Sequence, residues 1–390
     1  MKHLYLTIAL LFTLFNAYSQ QTLSEIIKKN TSTFHYQDNQ FKGDGWEEIL
    51  GQIKEHKNVL IGEDHFFNEI PLFISKATSQ VKFDNFFCEI DPYSAKIIEQ
   101  KIHTLNENEL TQYVSDLSNN LSFSFYSMVP EFNMLKDLVQ ANTNIIGTDQ
   151  IMLTADKLMA IKLLEITKNE VAKTIYEDIK KRSDEHFQLF INKKGGPYFF
   201  SEKFEQNLKK LETLKLSLEE KLIIKDLKLS REIYITQNHY LRIQLMKNNV
   251  FKNIELLKEH KNLFKYGAIH INKGESILGG YDIGNFVSNI TDANFDSSLH
   301  VMIIGKNGTQ GIPFSKEVQK IDLNSKDLKH YSVFFENTEG KEWHLFNTSK
   351  ILKGVNSNKI KIDNKVLLKT LKGFDYIIVI PEVSAALNIN

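Results

Sequence analysis

The sequence predicts an α/β fold: a mostly parallel central sheet flanked by helices, with a large helical insertion. Three observations carry this reading. Short apolar runs such as Asn58–Ile61, Phe83–Cys88 and Leu263–Tyr266 alternate with longer stretches of helical periodicity. Runs of this kind read as strands buried on both faces, as parallel strands are. They also end alike, on Gly62-Glu63-Asp64-His65, Glu89-Ile90-Asp91, Gly147-Thr148-Asp149 and Gly267-Ala268-Ile269-His270. Ligands of open parallel sheets gather outside the carboxyl ends of the strands. One edge of this sheet is therefore expected to collect histidines and carboxylates.

In chain order, a polar entry segment carries one helix near Gly45–His56, and the first strand runs Lys57–Gly62. A helix follows over Asn68–Ser79. The second strand is Phe83–Glu89, and Pro92 opens the next helix, a favoured first-turn position. Helices are expected over Asn106–Leu117 and Pro130–Ala141, then a third strand at Thr143–Gly147. Residues 154–260 are rich in Lys, Glu, Leu and Ile at helical spacing, interrupted at Gly195-Gly196-Pro197. This block reads as an insertion over the sheet. After the strand ending at His270 come a turn at Gly279-Gly280, a short helix and a strand at Leu299–Ile304. Alternating runs such as Ser332–Phe335 suggest peripheral strands within 306–364, and Phe374–Ile380 is a last strand closed by Pro381.

With 48 basic and 48 acidic side chains in 390 residues the formal charge cancels, so no global field favours nucleic acid. Lys2 followed by the apolar run Leu4–Phe15 and by Ala17-Tyr18-Ser19 has the form of a signal peptide over residues 1–19. A run of twelve residues is too short to span a bilayer, which needs about 20. The expectation is an exported chain, periplasmic or secreted, starting near Gln20, without an integral membrane anchor and with residues 20–390 as a single domain. The only cysteine, Cys88, lies in an apolar strand, where a thiol stays protonated and unreactive. His103, His186, His239 and His260 lie in helical stretches without repeated ligand spacing and are expected at the surface. The aromatic run Phe123–Tyr126 reads as core or lid packing. No Gly-x-Ser-x-Gly elbow supports a serine nucleophile, and Gly305-Lys306-Asn307-Gly308 lacks the spacing of a phosphate loop.

Gly62-Glu63-Asp64-His65 with Glu69, Phe87–Asp91 and Gly147–Gln150 resemble, in order, the strand-end elements of the erythromycin esterase family. Arg231-Glu232 with Asn238, and His270 with Lys273-Gly274, are similar to its later elements, and Phe374–Ile378 to its terminal strand. The resemblance implies a hydrolase, with Glu69, Asp91, Asp149 and Arg231 as substrate-binding positions; Arg231 equally suits an anionic substrate group or pairing with a site carboxylate. Two departures point to relatives: the Glu and His of the first motif are one residue closer, and Ala268 stands in place of a second late histidine. A Gly-Glu-x-His start resembles the ChaN haem-binding group. Paired Gly-x-x-His motifs with a strand-end Glu resemble the Tiki/TraB metalloproteases. No particular substrate follows, beyond a small molecule or a peptide.

The catalytic candidates are His65, Glu63, Glu89 and His270. A neutral imidazole takes a proton from water near neutrality. His65 as base, oriented by Glu63 or Glu89, suits hydrolysis by an activated water, with His270 polarising a carbonyl. Equally, His65, His270 and Glu89 suit one divalent ion with an open position. A cofactor is thus either not required or a single divalent ion, and a haem binder would reveal itself by a Soret band on haem addition. For export, mass spectrometry of the protein from its own host should find the first nineteen residues or so removed. An intact Met1 terminus would contradict the signal peptide.

Overall fold

A computed structural model describes residues 22–118, 121–315 and 317–389. The expected signal peptide lies outside the described residues. The apolar runs form strands because their alternate residues find cover on opposite faces. In β3 (Asn58–Glu63), Val59 and Ile61 enter one core and Leu60 the other. β4 (Asn85–Cys88) divides in the same way, Phe86 from Phe87. With β5 (Asn144–Gly147), β6 (Asn262–Gly267), β7 (Ser298–Gly311) and β10 (Tyr376–Val383) they make six parallel strands in the order β10-β7-β3-β6-β4-β5. β9 (Trp343–Asn347), β1 (Thr31–Gln37) and β2 (Gln40–Lys42) continue the sheet antiparallel beyond β10, and β8 (Val318–Lys320) pairs with the far end of β7.

A ladder of side-chain amides, buried at Asn58, Asn85 and Asn262 and exposed at Asn144, pins four of the parallel strands. Asn58, Asn262, Asn85 and Asn144 each open a strand and stand opposite one another in register. Asn262 donates to Asn58 at 2.9 Å, Asn85 to Asn262 at 2.9 Å and Asn144 to Asn85 at 3.1 Å. Asn58 in turn donates to the Leu257 carbonyl and the Thr291 hydroxyl. A slip of one residue would break every rung and turn each strand's apolar residues to the wrong face.

Several expectations need correction. The block 154–260 is broken more often than at the Gly195-Gly196-Pro197 turn. Its helices are Asp156–Ile166, Glu170–Ile191, Glu202–Glu212, Leu218–Thr236, His239–Phe251 and Ile254–Glu259, most of them restarted by a side-chain cap from Asn169, Ser201, Ser217 or Asn238. The run Ser332–Phe335 lies in a helix, Ser332–Glu336, since Tyr331, Phe334 and Phe335 are buried at i, i+3 and i+4. β10 runs through Pro381 because its pairing with β9 stops at Val379, leaving that side of the strand open to a residue without an N–H. The entry segment holds a hairpin, β1–β2, turned by Asp38 and Asn39 at φ 52° and 62°. Among the described residues no helix is long and apolar enough to cross a membrane.

Asn262→Leu should leave the Asn58 carbonyl oxygen and the Asn85 amide facing hydrocarbon. Each unsatisfied buried group costs about 1–3 kcal/mol, so the urea midpoint should fall by the equivalent of at least ~2 kcal/mol at unchanged slope. A wild-type midpoint would show that the ladder does not hold the register.

Candidate active site

The carboxyl ends of β3, β4, β5 and β6 deliver their polar residues to one place. β3 ends at Glu63, which is buried, and the chain reverses through Asp64, His65 and Phe66, the last in the left-handed region at φ 71°. Gln310 at the end of β7 donates to the Asp64 carboxylate (3.1 Å) and the His65 carbonyl (2.9 Å), fixing the reversal. His65 Nδ1 pairs with Glu63 Oε1 at 2.8 Å, and its ring stacks on Phe125 with centroids 4.2 Å apart. One quarter of its side chain stays exposed. His65 approaches β6 so closely that a Cβ on Gly267 would lie 2.8 Å from Nε2. Glycine is required there for the imidazole to reach its place.

Glu89, one residue past β4, is the hub. Its Oε2 accepts from the Gly267 N–H at 2.9 Å and lies 3.8 Å from His65 Nε2. Its Oε1 accepts from Arg242 at 2.6 Å and lies 3.7 Å from His270 Nε2. His270 Nδ1 pairs with Asp282 Oδ2 at 2.8 Å, and Asp282 also caps the helix Ile283–Ala293. Two carboxylate–imidazole pairs, Glu63–His65 and Asp282–His270, thus face Glu89 from two sides.

Charge follows from this packing. Burial works against the ionised form of Glu89, but the charges of His270, Arg242 and His65 and the Gly267 N–H outweigh it and lower its pKa. Burial opposes protonation of His65, yet the Glu63 hydrogen bond and the Glu63 and Glu89 charges outweigh it and raise its pKa above the ordinary imidazole value. Burial raises Asp64 to about 6. Beneath Glu63 lies Lys265, fully enclosed, bonded to Glu63 at 2.6 Å and to Glu131 at 2.8 Å. Burial drives Glu131 to about 7 despite this ammonium.

The other expected positions divide. Asp149 joins the centre: its two oxygens take a bidentate pair of bonds from Arg242, at 2.9 and 2.5 Å. Asp91 does something else, accepting from the N–H groups of Tyr93 and Ser94 as the cap of the helix Pro92–Thr104. Glu69 accepts from the backbone N–H and hydroxyl of Ser384 and so clamps the C-terminal segment. Arg231 pairs with Glu205 and the carbonyls of Phe199 and Phe200 inside the helical insertion. The arginine at the strand ends is Arg242. The seven-residue Arg…Asn spacing noted at Arg231 and Asn238 recurs at Arg242 and Asn249, two helical turns apart on one face. Asn249 donates to the Thr148 carbonyl at 2.9 Å.

His239 is not a surface residue either: it is half-buried, its ring 5.6 Å from that of His270, and its Nε2 is buried. Burial, then the His270 charge, lowers its pKa. His103 and His260 are exposed, and His186 is half-buried against Tyr198. Cys88 is buried, and burial raises its thiol pKa. Phe123 and Tyr126 are core, whereas Phe125 is the wall on which His65 rests. Lys265, Arg242, Asp282 and His239 were missed in the sequence. Only Lys265 gave a local signal, as a charge within an otherwise apolar run.

A cavity of about 570 Å³ opens beside these strand ends, bordered by Glu63, Asp64, His65 and Gly267. Its far walls mix Ile277, Met302, Ile304 and Phe374 with Gln310, Asp322 and Asp327. Of the two histidines only His65 borders it. His270, 2 % exposed, is enclosed between Asp282 and Glu89 and holds Glu89 rather than the cavity wall.

No protein-family model and no curated protein matches the chain. Solved structures do. A succinoglycan biosynthesis protein is similar at 17% identity and TM-score 0.58, over 95% of this chain and 99% of that one. A Bacillus cereus protein is similar at 13% and 0.57, over 96% and 100%. A mutant of erythromycin esterase EreC in its open conformation is similar at 14% and 0.55, over 90% and 97%. The chain therefore has an erythromycin esterase-like fold.

Lys265→Met should leave Glu63 and Glu131 buried without their cation, at a cost of about 3–5 kcal/mol. Both carboxyls would then have folded pKa values above their unfolded ones. The loss should therefore deepen as pH rises above the ordinary carboxylate range and lessen at lower pH. Denaturation at pH 5 and pH 8 checks this, and an equal loss at both would contradict the buried triad.

Proposed function

We propose that the chain is an exported hydrolase that cleaves an ester or amide bond with a water activated by His65. The observation that carries this reading is the Glu63–His65 pair at 2.8 Å, with the imidazole partly exposed on the wall of the 570 Å³ cavity. A pocket of that volume suits a small molecule or a short peptide segment.

Glu63 accepts the Nδ1 proton, which fixes the tautomer and leaves the Nε2 electron pair for the water. Nε2 takes the water's proton as the oxygen bonds to the carbonyl carbon. The imidazolium formed is stabilised by Glu63 on one side and Glu89 on the other. The same proton then passes to the leaving oxygen or nitrogen as its bond to carbon breaks. His270 and Arg242 serve by holding Glu89 ionised and in place. Asp64, Asp322 and Asp327 give the cavity an acidic rim, and its apolar residues would meet the body of the substrate. Export is supported by the leader-like first nineteen residues, and the hydrolase reading by the likeness of fold to erythromycin esterase EreC.

A panel of esters and peptides tests the proposal. For any substrate turned over, His65→Ala should cut kcat by at least ~100-fold, the usual contribution of a general base. Stability should change little, because Lys265 still neutralises Glu63. Turnover retained in a variant with a lowered melting temperature would make His65 structural. A wild-type chain that turns over none of these classes would end the hydrolase reading.

A further inference from the structure

His239, His270 and Asp282 each offer one ligand atom, and the three atoms lie within 4.8 Å of one another. We propose that these residues form a binding site for a zinc-class divalent ion, distinct from the Glu63–His65 pair and independent of the hydrolase reading.

The His239 Nε2 is buried and has no hydrogen-bond partner among the described residues. A buried imidazole nitrogen without a partner is costly unless something takes its electron pair or its proton. His270 is held by the short helical turn Ala268–His270 that follows β6, and Asp282 by capping the helix Ile283–Ala293 through its Oδ1, so two of the three ligands are held in advance. Asp282 is also the carboxylate that pairs with His270 Nδ1. Two imidazoles and a carboxylate are the donor set of three-ligand zinc sites, whereas magnesium and calcium prefer oxygen alone. Bonds of about 2.0–2.1 Å place tetrahedral ligands about 3.3 Å apart. Rotation of His239 supplies the remaining closure, since it starts its helix and is only half-buried.

Local charge favours a dication. Glu89, Asp149 and Asp282 bring three carboxylates against two cations: Arg242, which Glu89 and Asp149 already hold, and Lys247, which lies within reach of the Asp282 charge. The cluster leaves His65 outside. It therefore differs from the His65, His270 and Glu89 ligand set considered from the sequence, and the two can be separated by mutation.

The test uses the full mature chain, stripped of metal, with Zn2+ alone as the probe in calorimetry and Co2+ as its coloured substitute. The expected result is one Zn2+ per chain, a rise in melting temperature with added Zn2+, and visible absorption from bound Co2+. His239→Ala and Asp282→Asn should each weaken Zn2+ binding at least ~10-fold and remove the thermal shift. Asn keeps the helix cap at position 282, so this variant remains informative if the alanine variant folds poorly. His65→Ala should bind Zn2+ as the wild type does. No stoichiometric binding by the wild type, or wild-type affinity in both His239→Ala and Asp282→Asn, would overturn the site. So would binding lost in His65→Ala and kept in His239→Ala.

Discussion

The register of the parallel strands is the constraint on which everything else rests. Asn58, Asn262, Asn85 and Asn144 lock it at the amino ends of β3, β6, β4 and β5. The strands are only four to six residues long, so the lock fixes their carboxyl ends as well. Glu63 then stands beside Gly267, Cys88 beside Gly147, and Glu89 reaches the Gly267 N–H. A polar ladder is an expensive way to pair strands unless every rung is satisfied. Here each rung is, and the reward is geometric: side chains from distant parts of the chain meet at hydrogen-bond distance.

The second constraint is electrostatic. Glu63, Glu89 and Glu131 are all buried at one edge of the sheet, where carboxylates could not ionise unaided. Lys265 from below and Arg242 from the insertion supply the opposing charge. The helical insertion is thus part of the site, because its helix His239–Phe251 brings Arg242 to Glu89 and Asp149. It also places His239 next to His270. The fold is shared with proteins at 17% identity or less.

Much of the sheet was legible in the sequence because buried parallel strands leave continuous apolar runs, and their polar endings mark one edge. His65, Glu63, Glu89, His270 and Asp149 could be picked out for that reason. The counter-charges could not. Arg242 lies in the helix His239–Phe251 with no local mark of its role, and the same Arg…Asn spacing at Arg231 offered a competing match. Asp282 caps a helix and His239 starts one, and only tertiary packing sets them against His270. Lys265 was hidden in the opposite sense, as one polar letter in a run that otherwise reads as core. Glu69 and Asp91 had the right residue type at the right spacing, but a nearby Ser384 hydroxyl and a helix N-terminus claim them.

The central claim is that Glu63 and His65 act as one unit, a carboxylate that sets the tautomer and basicity of the imidazole. NMR titration of the His65 ring, in the wild type and in Glu63→Gln, tests it without knowledge of the substrate. The wild-type ring should titrate above the ordinary imidazole value of about 6.5, with the proton on Nδ1 in the neutral form. Glu63→Gln keeps an oxygen that can accept from Nδ1 but removes the charge that raises the pKa, so the titration should move to lower pH. A His65 that titrates at the same pH in both proteins, or that carries its neutral-form proton on Nε2, would contradict the account.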